Sequence, residues 1–172
     1  MGEIASASQL RMGFVRWAMV TVPAVLFLGF LSGRVAGPGG EGGWYQSLAK
    51  PAFQPPTWAF PVAWSILYFL MGVSLAMILN ARGAKWRGLA IGFFFAQFVL
   101  NLLWSPLFFG AHQVSLALLL LIAIFVFACG TAYSFYTIRK AAGFLLLPYI
   151  AWLAFAAVLN FEVDRLNPDA ET

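Results

Sequence analysis

Charge is what this chain has least of. Only 9% of its 172 residues are charged and 62% are hydrophobic, whereas a soluble domain carries roughly 25% charged residues. A water-soluble fold would have too few polar groups to coat its surface. No Asp, Glu, Lys or Arg falls in the middle of any long apolar run. Ion- and proton-coupled pumps need such groups as carriers, which argues against that class. Cysteine is almost missing: Cys129 stands alone inside an apolar run, so no intrachain disulfide can form. The single histidine, His112, leaves no metal cluster, and no Ser/His/Asp or Cys/His set is available for hydrolysis. The formal charge of +4 comes from single and paired basic residues at the ends of apolar runs. That distribution encodes membrane topology and not a phosphate-binding face, so nucleic acid is excluded as a partner.

What is present is a set of five apolar segments: Trp17–Ala36, Trp58–Leu79, Gly88–Phe109, Val114–Tyr136 and Ala142–Val163. Each holds about 20 residues, enough to cross about 30 Å of hydrocarbon as a helix. Barrel strands would alternate polar and apolar residues, and these runs are continuous. The expected fold is all-α, a bundle of five transmembrane helices in a lipid bilayer. It occupies residues 12–165, with tails at 1–11 and 166–172. Arg11 and Arg16 ahead of the first run would also suit a signal peptide, but that run is long for one and carries Gly29 and Gly33 at helix-packing spacing. Short links at Asn80–Arg87, Gly110–Gln113 and Thr137–Ala141 imply antiparallel neighbours. Seven Lys and Arg residues fall on the amino-terminal side and three, Arg34, Lys50 and Arg165, on the other. The amino terminus is therefore expected inside, with the first loop and the carboxyl terminus outside.

The first loop, Gly37–Thr57, is the exception in length. It opens with a flexible Gly37-Pro38-Gly39-Gly40 and continues with Pro51, Pro55 and Pro56, which forbid a regular helix there. The loop and the start of the second run also carry Trp44, Phe53 and Trp58, which are costly to leave in water. This stiff segment must lie on something apolar, either a lipid interface or the mouth of a pocket. Trp17, Trp58 and Trp86 sit at span ends, as interface anchors do.

The third span has two faces. Gly88, Gly92 and Ala96 repeat every four residues and form a small-residue row that admits close helix approach. Gln97, Asn101, Trp104 and Phe108 form a second row. Gly92 and Asn101, nine positions apart, lie about 180° apart around the helix. The polar face should look into the bundle, leaving the small face for a second copy; Gly29, Gly33 and Gly37 offer an alternative row. Counting from the outer ends at 1.5 Å per residue puts Trp64, Trp104 and Ala156 at one level, about 8–10 Å deep. Asn101 and Trp152 lie a turn deeper, and Trp152, Ala156 and Asn160 share a face. Such a convergence suits a flat apolar ligand with a few polar atoms. The alternative is that Trp64 and Trp104 belong to an aromatic belt and Gln97 and Asn101 only bridge helices; Trp152 is too deep for a belt and is either core or pocket.

Four stretches carry a resemblance. They are Trp44-Y-Q-S-L-A-K-P-A-F-Q-P-P-T-Trp58, Phe60-P-V-A-Trp64, Asn101-L-L-W-S-P-L-F-F-Gly110 and Pro148-Y-I-A-W-L-A-F-A-A-V-L-N-Phe161. In order and spacing they resemble the translocator protein (TspO/MBR) family, also called tryptophan-rich sensory proteins or peripheral-type benzodiazepine receptors. The resemblance implies a five-helix protein, often a homodimer. Its implied ligands are porphyrins such as protoporphyrin IX or haem, sterols and benzodiazepine-type drugs, with no obligatory cofactor and no metal. It implies a ligand cavity lined by Trp64, Asn101, Trp104 and Ala156, to which the polar and aromatic row of the third span adds Phe108. Trp152 matches a tryptophan implicated in light-driven porphyrin breakdown, and Gly88, Gly92 and Ala96 match a dimer seam. A sterol motif would fall on Leu159, Phe161 and Arg165, with Phe161 where the family pattern has Tyr and two acids before Arg165. By resemblance the membrane is a bacterial cell envelope or a mitochondrial outer membrane. The expected function is ligand binding as sensor or carrier; a light-dependent porphyrin-degrading enzyme and a scaffold for partner proteins are the alternatives.

Overall fold

The computed structural model describes residues 6–36 and 43–170. Its helices are α1 (Ala7–Val35), α2 (Gly43–Ser47), α3 (Ala59–Asn80), α4 (Arg87–Ser105), α5 (Val114–Ile138), α6 (Lys140–Phe144) and α7 (Leu147–Leu166). A π-helical turn, Pro106–Gly110, continues α4. Five stretches are long and apolar enough to cross a membrane: Ala7–Val35, Ala59–Asn80, Arg87–Gly110, Val114–Ile138 and Lys140–Leu166. No strand occurs among the described residues. The expected all-α bundle is therefore observed, and the chain is an integral, multi-pass membrane protein.

Burial is arranged as lipid demands. Phe27, Phe69, Leu119 and Val126 point outward, while Thr21, Ser74, Gln97, Asn101, Thr131 and Asn160 are buried. In hydrocarbon a polar group is cheapest where another helix satisfies it. Thr21 Oγ1 donates to the Gly72 carbonyl at 2.7 Å and Ser74 Oγ to the Ala142 carbonyl at 2.7 Å. Gly72 permits the first of these contacts. A Cβ there would lie 2.6 Å from the Val22 Cα, so only glycine lets α1 run this close to α3.

Three boundaries differ from the sequence reading. First, α1 begins at Ala7, ten residues before the apolar run. Ser6 and Gln9 form a capping box, and Asn80 Nδ2 donates to the Leu10 carbonyl at 3.0 Å; residues 7–10 are helical. Second, the fifth span is broken between α6 and α7. Pro148 lacks an N–H and its ring clashes with the carbonyl four residues back, so the helix restarts at Leu147. Third, α3 and α4, although joined by a short link, meet over little of their length. α1 packs along α3, α4 along α5, and α5 along α7. A cavity lined from both α3 and α4 keeps that pair apart.

Candidate ligand cavity

The half of the bundle that carries the first loop encloses a cavity of about 530 Å³, lined from α1, that loop, α3, α4, α5 and α7. Trp64, Asn101, Trp104, Phe108, Trp152 and Ala156 all contribute to its wall. No lining residue carries a charge.

Each wall follows from local sequence. On α3, Trp64 and Tyr68 are one helical turn apart and stack at 5.2 Å. Trp152 meets Trp64 at 6.5 Å and Phe60 at 6.0 Å, both edge-on. On α4, Pro106 cannot donate to the Leu102 carbonyl, and Ser32 Oγ of α1 donates to it instead. Beyond Pro106 the backbone loosens into the π turn, with Ala111 N–H donating to the Pro106 carbonyl at 2.9 Å. Trp104 and Phe108 stack across that turn at 4.9 Å.

The amides do more than line. Tyr68 Oη donates to Asn101 Oδ1 at 3.0 Å, Asn101 Nδ2 to Tyr149 Oη at 2.9 Å, and Tyr149 Oη to Gln97 Oε1 at 2.7 Å. This relay ties α3, α4 and α7 at the cavity floor, so Asn101 both bridges helices and lines the cavity. Tyr68 and Tyr149 escape the sequence reading. Tyr68 is traceable from its i+4 spacing to Trp64; Tyr149 carries no local signal beyond a hydroxyl in an apolar run. Asn160, one turn beyond Ala156, also lines the cavity; its Nδ2 donates to the Val114 carbonyl at 3.0 Å. Two buried polar atoms of lining residues, Trp104 Nε1 and Asn160 Oδ1, have no hydrogen-bond partner among the described residues.

Residues 43–57 of the first loop lie over the cavity as a lid. The described part of the loop begins with the short helix α2 and continues through turns at Pro51 and Pro56; the Gly37-Pro38-Gly39-Gly40 stretch lies outside the described residues. Trp44 stacks on His112 at 4.1 Å and meets Phe108 edge-on at 5.9 Å. Tyr45 is buried against Phe108 and Phe109 and accepts from Gln54 Nε2 at 3.1 Å. Burial pushes the Tyr45 phenol above its usual range, and the Gln54 bond opposes that only in part. Phe53 rests against Phe155 but stays half exposed. Trp58, 66% exposed, is on the cavity rim and faces outward. The loop therefore lies on the pocket mouth at Trp44 and Tyr45 and faces outward at Trp58.

The remaining expected sites separate. Gly88 and Gly92 are exposed, and a Cβ added at either would meet no other atom within 4 Å; Ala96 is half-buried beside them. In the sterol motif, Leu159 is buried and lines the cavity, Phe161 faces outward, and Arg165 is held by Glu162 at 2.7 Å. These three side chains do not converge. Gly37, of the alternative glycine row, lies outside the described residues, and Gly29 is packed against the Tyr68 ring. No group of metal-ligating side chains occurs among the described residues.

Comparison with known proteins follows the same lines. Residues 19–166 match the TspO/MBR family. A translocator protein of Sus scrofa is 42% identical over 142 residues, covering 81% of this chain and 83% of that one. The protein CrtK of Rhodobacter capsulatus is 40% identical over 128 residues, 74% and 80% of the two chains. A tryptophan-rich sensory protein of Cereibacter sphaeroides is 40% identical over 124 residues, 72% and 77%.

Proposed function

The chain belongs to the TspO/MBR family of membrane proteins, and from that premise we propose that it binds a porphyrin or related flat tetrapyrrole in the lidded cavity, as a sensor or carrier. The observation that carries this reading is the uncharged aromatic lining. Trp64, Trp104, Phe108 and Trp152 offer stacking faces within a volume that suits one ligand of drug size. The unpartnered Trp104 Nε1–H and Asn160 Oδ1 support it, since a buried donor and acceptor left unpaired cost about 1–3 kcal/mol each. A ligand offering a complementary acceptor and donor, reached by small side-chain adjustment, would recover that cost. Carboxylates are disfavoured against this lining, so the propionates of a porphyrin belong at the mouth, under the lid.

The test is a titration with protoporphyrin IX followed by tryptophan fluorescence. Saturable quenching is expected. The combined change Trp152→Phe and Ala156→Thr, which removes a stacking face and fills the wall, should weaken it by at least about tenfold, roughly 1.4 kcal/mol. Quenching that does not saturate, or that survives this double change, overturns the reading. Trp152 beside Trp64 also favours a second activity, light-driven breakdown of bound porphyrin. If binding persists in Trp152→Phe while loss of porphyrin under illumination stops, the protein is an enzyme. Sterols and benzodiazepine-type drugs are further candidate occupants of the same wall; of the motif Leu159, Phe161 and Arg165, only Leu159 lines it. We also propose a homodimer seated on Gly88, Gly92 and Ala96, whose open, smooth face lets a second helix approach closely.

A further inference from the structure

The lid is held from its far side by the carboxyl-terminal end of the chain. α7 ends at Leu166, and the Asn167 side chain turns onto the lid. Asn167 Oδ1 accepts from the Ala49 N–H at 2.8 Å, and Asn167 Nδ2 donates to the Ala49 carbonyl at 2.8 Å and to the Val163 carbonyl at 2.7 Å. One side-chain amide thus pairs with both peptide groups of a single lid residue while anchored to the last turn of α7. Three residues further on, the Ala170 carbonyl accepts from Trp44 Nε1 at 3.2 Å.

The chemistry needed is narrow. A donor and an acceptor must lie side by side on one short planar group, which Asn supplies and Asp, Leu or Ser does not. Ala49 lies in non-helical backbone between α2 and Pro51, so its peptide groups need a partner from outside the lid. Within the lid, Lys50 Nζ donates to the carbonyls of Gln46 and Leu48, and Gln54 Nε2 donates to Tyr45 Oη. They stiffen the lid without fastening it to the bundle. The match to the TspO/MBR family ends at residue 166, so this clasp lies just beyond the matched residues.

We propose that Asn167 is a positioning residue that latches the lid over the cavity and sets how fast a ligand enters and leaves. The ligand part rests on the function proposed above; the latch itself does not. The test therefore uses a ligand-free readout first. In the full chain, Cys129→Ala removes the native thiol and Ala156→Cys places a reporter on the cavity wall. The rate of modification by a water-soluble maleimide then measures lid opening. Asn167→Ala should raise that rate by roughly tenfold or more, as expected for losing paired hydrogen bonds. Asn167→Asp, which keeps the acceptor for Ala49 N–H, should fall in between. A reporter at the buried Ser74 (Ser74→Cys), far from the lid, should not change. An unchanged rate at position 156, or equal acceleration at 156 and 74, overturns the latch. With protoporphyrin IX, the dissociation rate should rise in Asn167→Ala while the quenching at saturation stays the same. If the wild-type chain shows no saturable quenching, the ligand reading fails and the labelling result still decides the latch. If quenching is normal and labelling unchanged, the latch alone fails.

Discussion

Tyr149 is the most demanding side chain in the bundle. It is fully buried, and its one hydroxyl serves Asn101 as acceptor and Gln97 as donor. Tyr149→Phe leaves both amides short of a partner while barely changing shape. A stability loss of about 1–2 kcal/mol is expected, less than in water-soluble cores because polar groups find other partners inside a bilayer. Thermal unfolding in detergent checks this, and a change below a few tenths of a kcal/mol would mean that the relay is not holding the helices. At this scale much of the site is legible in the sequence. Trp64, Trp104 and Ala156 fall at one depth because helical rise is fixed, and Asn101 has to face inward because lipid rejects amides. Tyr68 is traceable only through its i+4 spacing to Trp64, and Tyr149 is not legible, since a hydroxyl's partner on another helix leaves no mark in local sequence.

Between elements, glycine has opposite meanings in two places. At Gly72 a Cβ meets the Val22 backbone, whereas at Gly92 it meets nothing. Gly72→Ala should cost about 1–3 kcal/mol by forcing α1 from α3, while Gly92→Ala should leave the monomer's unfolding temperature unchanged. Gly88→Leu with Gly92→Leu should instead convert dimers to monomers in size-exclusion chromatography without altering porphyrin quenching. Dimers that persist would place the seam elsewhere. Composition foretells the number of spans but not their breaks. The π turn after Pro106 and the restart at Leu147 come from single prolines, whose effect depends on which carbonyl finds a substitute donor. Ser32 provides one for Leu102, and no periodicity argument points to a donor on α1.

For the whole molecule, we propose from the distribution of Lys and Arg that the lid is outside and the link between α3 and α4 inside. In the Cys129→Ala background, Ser47→Cys should react in intact cells with a membrane-impermeant thiol reagent, and Arg82→Cys only after the membrane is opened. The reverse pattern would invert the topology. The lack of ionisable groups along the mid-membrane walls carries a consequence for energetics. One elementary charge crossing the full membrane potential is worth about 2.3 kcal/mol per 100 mV. The cavity lining holds no such charge, and the lid's Lys50 lies in the loop and not in a span, so a lid opening of the kind proposed would carry no charge through the membrane field and be electrically silent. On the proposed carrier reading, any voltage dependence of uptake would then belong to the cargo alone: a dicarboxylate porphyrin would respond to membrane polarisation, and its neutral diester would not.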